Sequence, residues 1–177
     1  MIRKITGSIL VLFLLATYPM TGGAAIDPGS VDRVWRDLTS AASLAEAGPV
    51  SIEGKDEPNA WVSFTMSKYS VHATTGLLAT LRSTDELAGV LAHEISHIKL
   101  GHYNETVKRN LLWGLLYMAL GERKIGGFDV VGTGVVLAEA GFSREQEIAA
   151  DDYGVALAAK AGYDPWGLYN ALQGMLQ

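Results

Sequence analysis

Ten consecutive residues, His93 to His102, reading HEISHIKLGH, restrict this chain more than any other stretch. On a helix, His93 and His97 stand four positions apart, project from one face and lie one turn from each other. Two imidazoles at that spacing can hold a zinc ion. The carboxylate of Glu94, one position on from the first, points beside such an ion, where it can take a proton from a coordinated water. The pattern HExxH is the sequence form of this arrangement. It also has a plainer reading, a buried helix whose two histidines bond to backbone carbonyls, so the flanking residues have to decide.

Those flanks predict a helix. Ser83, Thr84, Asp85 and Glu86 read as a capping box, with Ser83 as N-cap and Glu86 reaching back. Leu87, Val90, Leu91, Ile95 and Ile98 recur at helical intervals, and Gly101 is placed to end the helix in a left-handed conformation. The motif then sits mid-helix, with one face directed to a core and the histidine pair on an adjoining face.

Residues 1–25 read as a signal peptide. Arg3 and Lys4 form a short positive region, Ile9 to Ala16 is an apolar run, and Gly22, Gly23, Ala24 and Ala25 offer small residues for cleavage after Ala24 or Ala25. The run is shorter than the roughly 20 apolar residues that span a bilayer; an uncleaved anchor is the alternative. An exported, periplasmic or secreted protein is expected, with one domain over residues 26–177. Loss of Arg3 and Lys4 takes the basic residues from 14 to 12 against 19 acids, a net charge of -7, which argues against a nucleic-acid partner. The chain has no cysteine, so disulfides, thiolate metal sites and cysteine nucleophiles are excluded, and any metal must be held by histidine and carboxylate.

Along the rest of the chain, Val31, Val34, Trp35, Leu38, Ala42 and Ala45 predict an amphipathic helix from about 30 to 47, stopped by Gly48 and Pro49. The period then changes to two. Val50 and Ile52, Trp61 to Met66, and Tyr69 to Ala73 read as three short strands in an antiparallel meander, and Thr74 to Leu81 as a short helix. Asn110 to Leu120 and Val130 to Ala140 are too short for membrane spans and read as buried helices; the alternative is a membrane-touching hairpin turning at Gly121 to Gly127. The Gly-rich stretch from Gly121 to Gly134 is also where a lid over the site is expected.

Ser143 and Gln146 form a second capping box, opening a helix that runs to about Ala161 and ends at Gly162. On it Glu147 and Asp151 share a face that Val155 continues toward apolar residues. A solvated acidic face is one reading; the other is a buried carboxylate that needs a cation. Asp164 and Pro165 read as the N-cap and first-turn proline of a terminal helix, Trp166 to Leu176. The expected architecture is α+β, mostly helical, with a small three-stranded antiparallel sheet packed on the motif helix.

The metzincin continuation of HExxH needs Gly and His where this chain has Leu100 and Tyr103, so that subclass is excluded. The stretches NAWVSF, HATTGLLATL, TDELAGVLAHEISHIKLGH, FSREQEIAADDYG and AGYDP, in that order between about Val50 and Leu172, resemble the zinc peptidase family that includes the CaaX prenyl endopeptidases, the HtpX-type membrane proteases and their soluble periplasmic relatives. The resemblance implies a zincin-like fold, zinc held by His93, His97 and Glu147, Glu94 as general base, and Asp151 orienting a ligand histidine. It also implies an edge strand at Asn59, Ala60, Trp61 and Val62, on which an extended polypeptide substrate is laid. Two departures stand out: Ser67 and Lys68 replace a Gly pair usual in relatives, and the sequence stops at Gln177, before the segment that supplies an oxyanion donor in many of them. His72, His102 and Tyr153 are candidates for that donor, each with a structural role as the plainer reading; His102, about 180° round the helix from His93, suits capping carbonyls. The function implied is zinc-dependent endopeptidase action on extended or misfolded protein, with a peptide-holding, chaperone-like module as the alternative.

Overall fold

The computed structural model describes residues 26–44, 48–65, 68–103, 105, 124–125, 128–129 and 142–175. In chain order these form α1 (Pro28–Ala41), β1 (Ser51–Glu53), β2 (Ala60–Thr65), β3 (Lys68–Thr74), α2 (Thr75–Thr80), α3 (Thr84–Lys99), β4 (Lys124–Ile125), β5 (Phe128–Asp129), α4 (Arg144–Lys160) and α5 (Gly167–Met175). The class is α+β. The signal-peptide residues and both apolar stretches, Asn110 to Leu120 and Val130 to Ala140, lie outside the described residues. Within the expected lid only β4 and β5 are described, paired antiparallel with Lys124 opposite Asp129. No helix among the described residues is long and apolar enough to cross a membrane.

Helix α3 is the axis of the molecule. Leu87, Leu91, Ala92 and Ile95 are fully buried, as are Ser96 and His97, and Glu94 is 3% exposed, so burial extends round most of the helix. A helix covered on most of its circumference needs partners on several sides; α1, α4, α5 and the sheet supply them. At its start, Ser83 caps by accepting from the Glu86 backbone N–H. Glu86 reaches back one residue further than the capping-box reading has it, accepting from the Arg82 backbone N–H at 2.8 Å while pairing with the Arg82 guanidinium at 2.9 Å. That guanidinium also donates to the Asn170 carbonyl, tying α5 to the head of α3. Gly101, at φ 72, ends α3 in the left-handed conformation that a side chain would disfavour.

Two expectations about the first half need correction. Helix α1 stops at Ala41, not near residue 47, because Ser43 turns to positive φ. The sheet is mixed, not an antiparallel meander: β2 and β3 form the expected antiparallel hairpin, but β1 lies parallel to β3 on its other side, giving the order β1-β3-β2. The connection from β1 to β2 steps over the β3–α2 junction instead of turning back in plane. Thr74 anchors it, donating from Oγ1 to the Glu57 carbonyl and accepting there from the Asn59 and Leu77 N–H groups. Gly76 lets it pass, since a Cβ there would lie 2.0 Å from the Asp56 carbonyl oxygen. Period-two spacing identifies strands but not which neighbour each one takes.

Ala60, Val62, Val71 and Ala73 are buried in the core. His72 stacks on Trp61, with ring centroids 4.9 Å apart, and Ser63 Oγ lies 2.9 Å from His72 Nε2. The terminal helix begins one residue later than expected, at Gly167, after a turn in which Asp164 accepts from the Trp166 N–H.

The α3–α5 contact is made backbone to backbone. A Cβ added at Gly89 would stand 2.2 Å from the Leu168 nitrogen. Helix propensity alone makes alanine better than glycine by about 1 kcal/mol. Gly89→Ala is nevertheless expected to lower the thermal midpoint, with an overpacking cost on the order of 1–3 kcal/mol. A melting curve with an unchanged or raised midpoint would count against this packing.

Candidate metal centre

The site forms where α4 crosses α3. A Cβ on Gly154 would lie 3.1 Å from the His93 nitrogen and 3.2 Å from its Cα, so the glycine allows the two helices to touch. Asp151 and Glu147, about one and two turns before that contact, then reach the His93 ring. The α4 N-terminus is held by the expected capping box, with Ser143 and Gln146 bonding reciprocally, and by Gln146 donating to Glu105 at 3.0 Å.

One ligand atom from each of His93, His97 and Glu147 falls within 4.8 Å of the others. The closest approaches are 3.1 Å between the two Nε2 atoms, 3.4 Å from His93 Nε2 to Glu147 Oε2, and 3.7 Å from His97 Nε2 to the same oxygen. Donors at about 2.0–2.1 Å from a tetrahedral zinc stand about 3.3 Å apart. The three atoms therefore fit the base of such a site with small adjustments.

The other nitrogen of each ring is also engaged. His93 Nδ1 is 2.8 Å from Asp151 Oδ1, and His97 Nδ1 is 3.0 Å from His102 Nδ1. Phe142, the residue before the α4 cap, stacks on His97 with centroids 3.9 Å apart and planes 20° from parallel. The Glu94 carboxylate is buried, and its Oε2 has no hydrogen-bond partner among the described residues.

These contacts set the charge states of the metal-free site. Desolvation pulls His93 down, but hydrogen bonds to Asp151 and Glu147 outweigh it and raise the ring from 6.5 to about 10. Desolvation likewise opposes ionisation of Glu147, and the two imidazoles outweigh it, lowering the carboxyl to about 2. Burial raises Glu94 to about 7, against the opposing pull of His93 and with a smaller contribution from Glu147. Burial lowers His97, outweighing its hydrogen bond to Glu147, and the neighbouring His93 adds to the lowering. The metal-free cluster thus favours a positive charge on His93, between Asp151 and Glu147.

Several expectations change. Val155 is 38 % exposed, so the Glu147 row faces partly outward; the buried side of α4 is Ala150, Gly154, Leu157 and Ala158. Glu147 itself is 37 % exposed, and its partners are the two rings, not an apolar core. His102 caps no carbonyl through Nδ1: the Gly101 reversal sets it behind His97. His72 is engaged on the sheet by Trp61, Ser63 and Glu53, and Tyr153 packs on the core. Phe142 and His102 were not singled out as partners of His97 by sequence reasoning. The only signal for Phe142 was an apolar residue just before a cap.

A buried helix carrying HExxH and a second helix bringing a carboxylate to it define the zincin class of metallopeptidase site. Comparison with known sequences agrees. The model of peptidase family M48 matches residues 26–177. The mitochondrial metalloendopeptidase OMA1 of Arabidopsis thaliana is 35% identical over 104 residues, 58% of this chain and 21% of that protein. Protease HtpX homologs of Thermococcus kodakarensis and Salinibacter ruber are 31% and 30% identical, over 77% and 71% of this chain and 53% and 49% of theirs. This chain belongs to peptidase family M48, and it spans about half or less of the length of these curated relatives.

The charge states carry a pH dependence with a definite sign. His93, raised from 6.5 to about 10, stabilises the metal-free fold fully below pH 6.5 and progressively less as pH climbs through 10. Glu94, raised from 4.5 to about 7, costs stability as it ionises between those values. Above pH 6.5, where the lowered His97 and His102 add nothing further, the thermal midpoint of metal-free protein should therefore fall toward about pH 9. Asp151→Asn, which removes the carboxylate 2.8 Å from His93, should flatten the upper part of that slope. Parallel slopes for the two proteins would contradict the His93–Asp151 pairing.

Proposed function

We propose that the chain is a zinc-dependent endopeptidase acting on extended or misfolded protein segments in an exported, periplasmic or secreted setting. The observation that carries the reading is the cluster of His93, His97 and Glu147 donors with a buried, unpartnered Glu94 oxygen on the same helix, in a chain of family M48. The export setting rests on Arg3, Lys4 and the apolar run from Ile9 to Ala16.

Zinc at this site supplies Lewis acidity toward the scissile carbonyl and acidity to a bound water. Glu94 acts as the general base. Its carboxylate is buried one position from His93, with Oε2 unpartnered among the described residues. It takes a proton from the attacking water and, when the carbon–nitrogen bond breaks, passes it to the leaving amine. Asp151 accepts the His93 Nδ1–H, which holds that ring with Nε2 toward the site.

An extended substrate would add to β2, one of the two edge strands of the β1-β3-β2 sheet among the described residues. Ala60, Trp61 and Val62 are buried, and Asn59 Oδ1 beside them is a buried acceptor with no hydrogen-bond partner among the described residues. Binding through main-chain hydrogen bonds favours unfolded chains over a particular sequence.

Glu94→Gln tests the reading. It should leave zinc content near wild type and lower cleavage of an unfolded protein by on the order of 10²–10⁴. A chelator should abolish wild-type cleavage. Cleavage surviving both treatments sinks the mechanism, and fully metallated wild type that binds unfolded protein without cutting it indicates the peptide-holding module.

A further inference from the structure

We infer that His102 is the positioning residue for His97: a neutral hydrogen-bond acceptor that selects the His97 tautomer whose Nε2 is free to bind a cation. The inference rests on the reading of His93, His97 and Glu147 as metal ligands.

A neutral imidazole ligand offers a lone pair from one nitrogen and carries its proton on the other. What the second nitrogen meets decides which tautomer is held. For His93 the partner is the Asp151 carboxylate. For His97 it is another imidazole, with 3.0 Å between the two Nδ1 atoms. A hydrogen bond at that distance requires one N–H and one lone pair. With His97 Nε2 directed at the His93 and Glu147 donors, the proton belongs on His97 Nδ1, His102 Nδ1 accepts it, and His102 carries its own proton on Nε2.

The setting leaves little alternative. His97 is fully buried and His102 is buried behind it, while Phe142 stacks on His97 and lies 5.8 Å from His102, centroid to centroid. Without His102, the His97 Nδ1–H loses the one hydrogen-bond partner it has among the described residues. The opposite tautomer, with its proton on Nε2 and no lone pair for a cation, then gains. The left-handed turn at Gly101 is what swings His102 back behind His97.

The test uses the full chain and zinc alone, with affinity read by competition against a chromophoric chelator. Asparagine can place its Oδ1 where His102 Nδ1 lies; leucine fills the space without an acceptor. His102→Leu should raise the zinc Kd by about 10–100-fold, as loss of a hydrogen-bond partner to a metal-bound histidine does, and His102→Asn should stay near wild type. Two-bond proton–nitrogen NMR of zinc-loaded wild type should show His102 protonated on Nε2 and His97 on Nδ1, a result that needs no variant to fold. Unchanged affinity in His102→Leu, equal losses in both variants, or a His102 proton on Nδ1 overturns the inference. Wild type that binds no zinc, or His97→Ala that binds as well as wild type, instead sinks the ligand assignment beneath it.

Discussion

The close crossing of α3 and α4 at Gly154 is the contact on which the site depends. Two helices normally keep 8–10 Å between axes because side chains stand between them. Here a glycine meets the His93 backbone with almost no room for a Cβ. Short carboxylate side chains on α4 can therefore reach imidazoles on α3 directly. Glu147 lies seven residues before Gly154, about 10 Å along the helix, so a modest change in crossing angle would carry it away from both rings. The capping box at Ser143, the Gln146–Glu105 bond and the stacking of Phe142 on His97 hold that distant end in place.

That geometry produces a site with an electrostatic demand. Glu147, Asp151 and Glu94 surround two imidazoles, and in the metal-free protein the demand is met by a proton on His93. A metal ion binds only deprotonated histidine, so it must displace that proton. The same carboxylates that raise His93 to about 10 also attract a divalent ion, and more strongly, since its charge is doubled. Proton and metal compete for one place, and Glu94 titrates in response to whichever is there. A positive charge among these carboxylates offsets the cost of placing acidic groups beside a helix buried on most of its faces.

The parts of this arrangement that follow local rules were legible in the sequence. Helical period, Ser83, Ser143, Gly101 and Gly162 mark both site helices, and the i, i+4 spacings align His93 with His97 and Glu147 with Asp151. The resemblance in FSREQEIAADDYG joined the two pairs, which spacing alone could not do. What escaped was set by tertiary packing. The parallel pairing of β1 depends on a connection stepping over Thr74 and Gly76, and strand periodicity is blind to that choice. The outward position of Val155 follows from where α4 meets its neighbours. His102 was placed by counting 100° per residue past Lys99, but the helix ends there, and a left-handed glycine redirects the chain.

The two histidines differ in exposure, and this gives the site a direction. His97 has a side-chain exposure of 0 %, closed in by Phe142, Tyr103 and His102. His93 lies beside Glu147 and Asp151, whose side chains are 37 % and 52 % exposed. Solvent, and anything arriving through it, meets the cluster from the His93–Glu147 side. Each ring's second partner matches this division. On the open side a carboxylate keeps its charge in contact with water at little cost, whereas behind His97 an unpaired charge would be expensive. A neutral imidazole can accept a hydrogen bond there without bringing a charge into the core. Residue type at positions 102 and 151 thus follows from how far each lies from solvent.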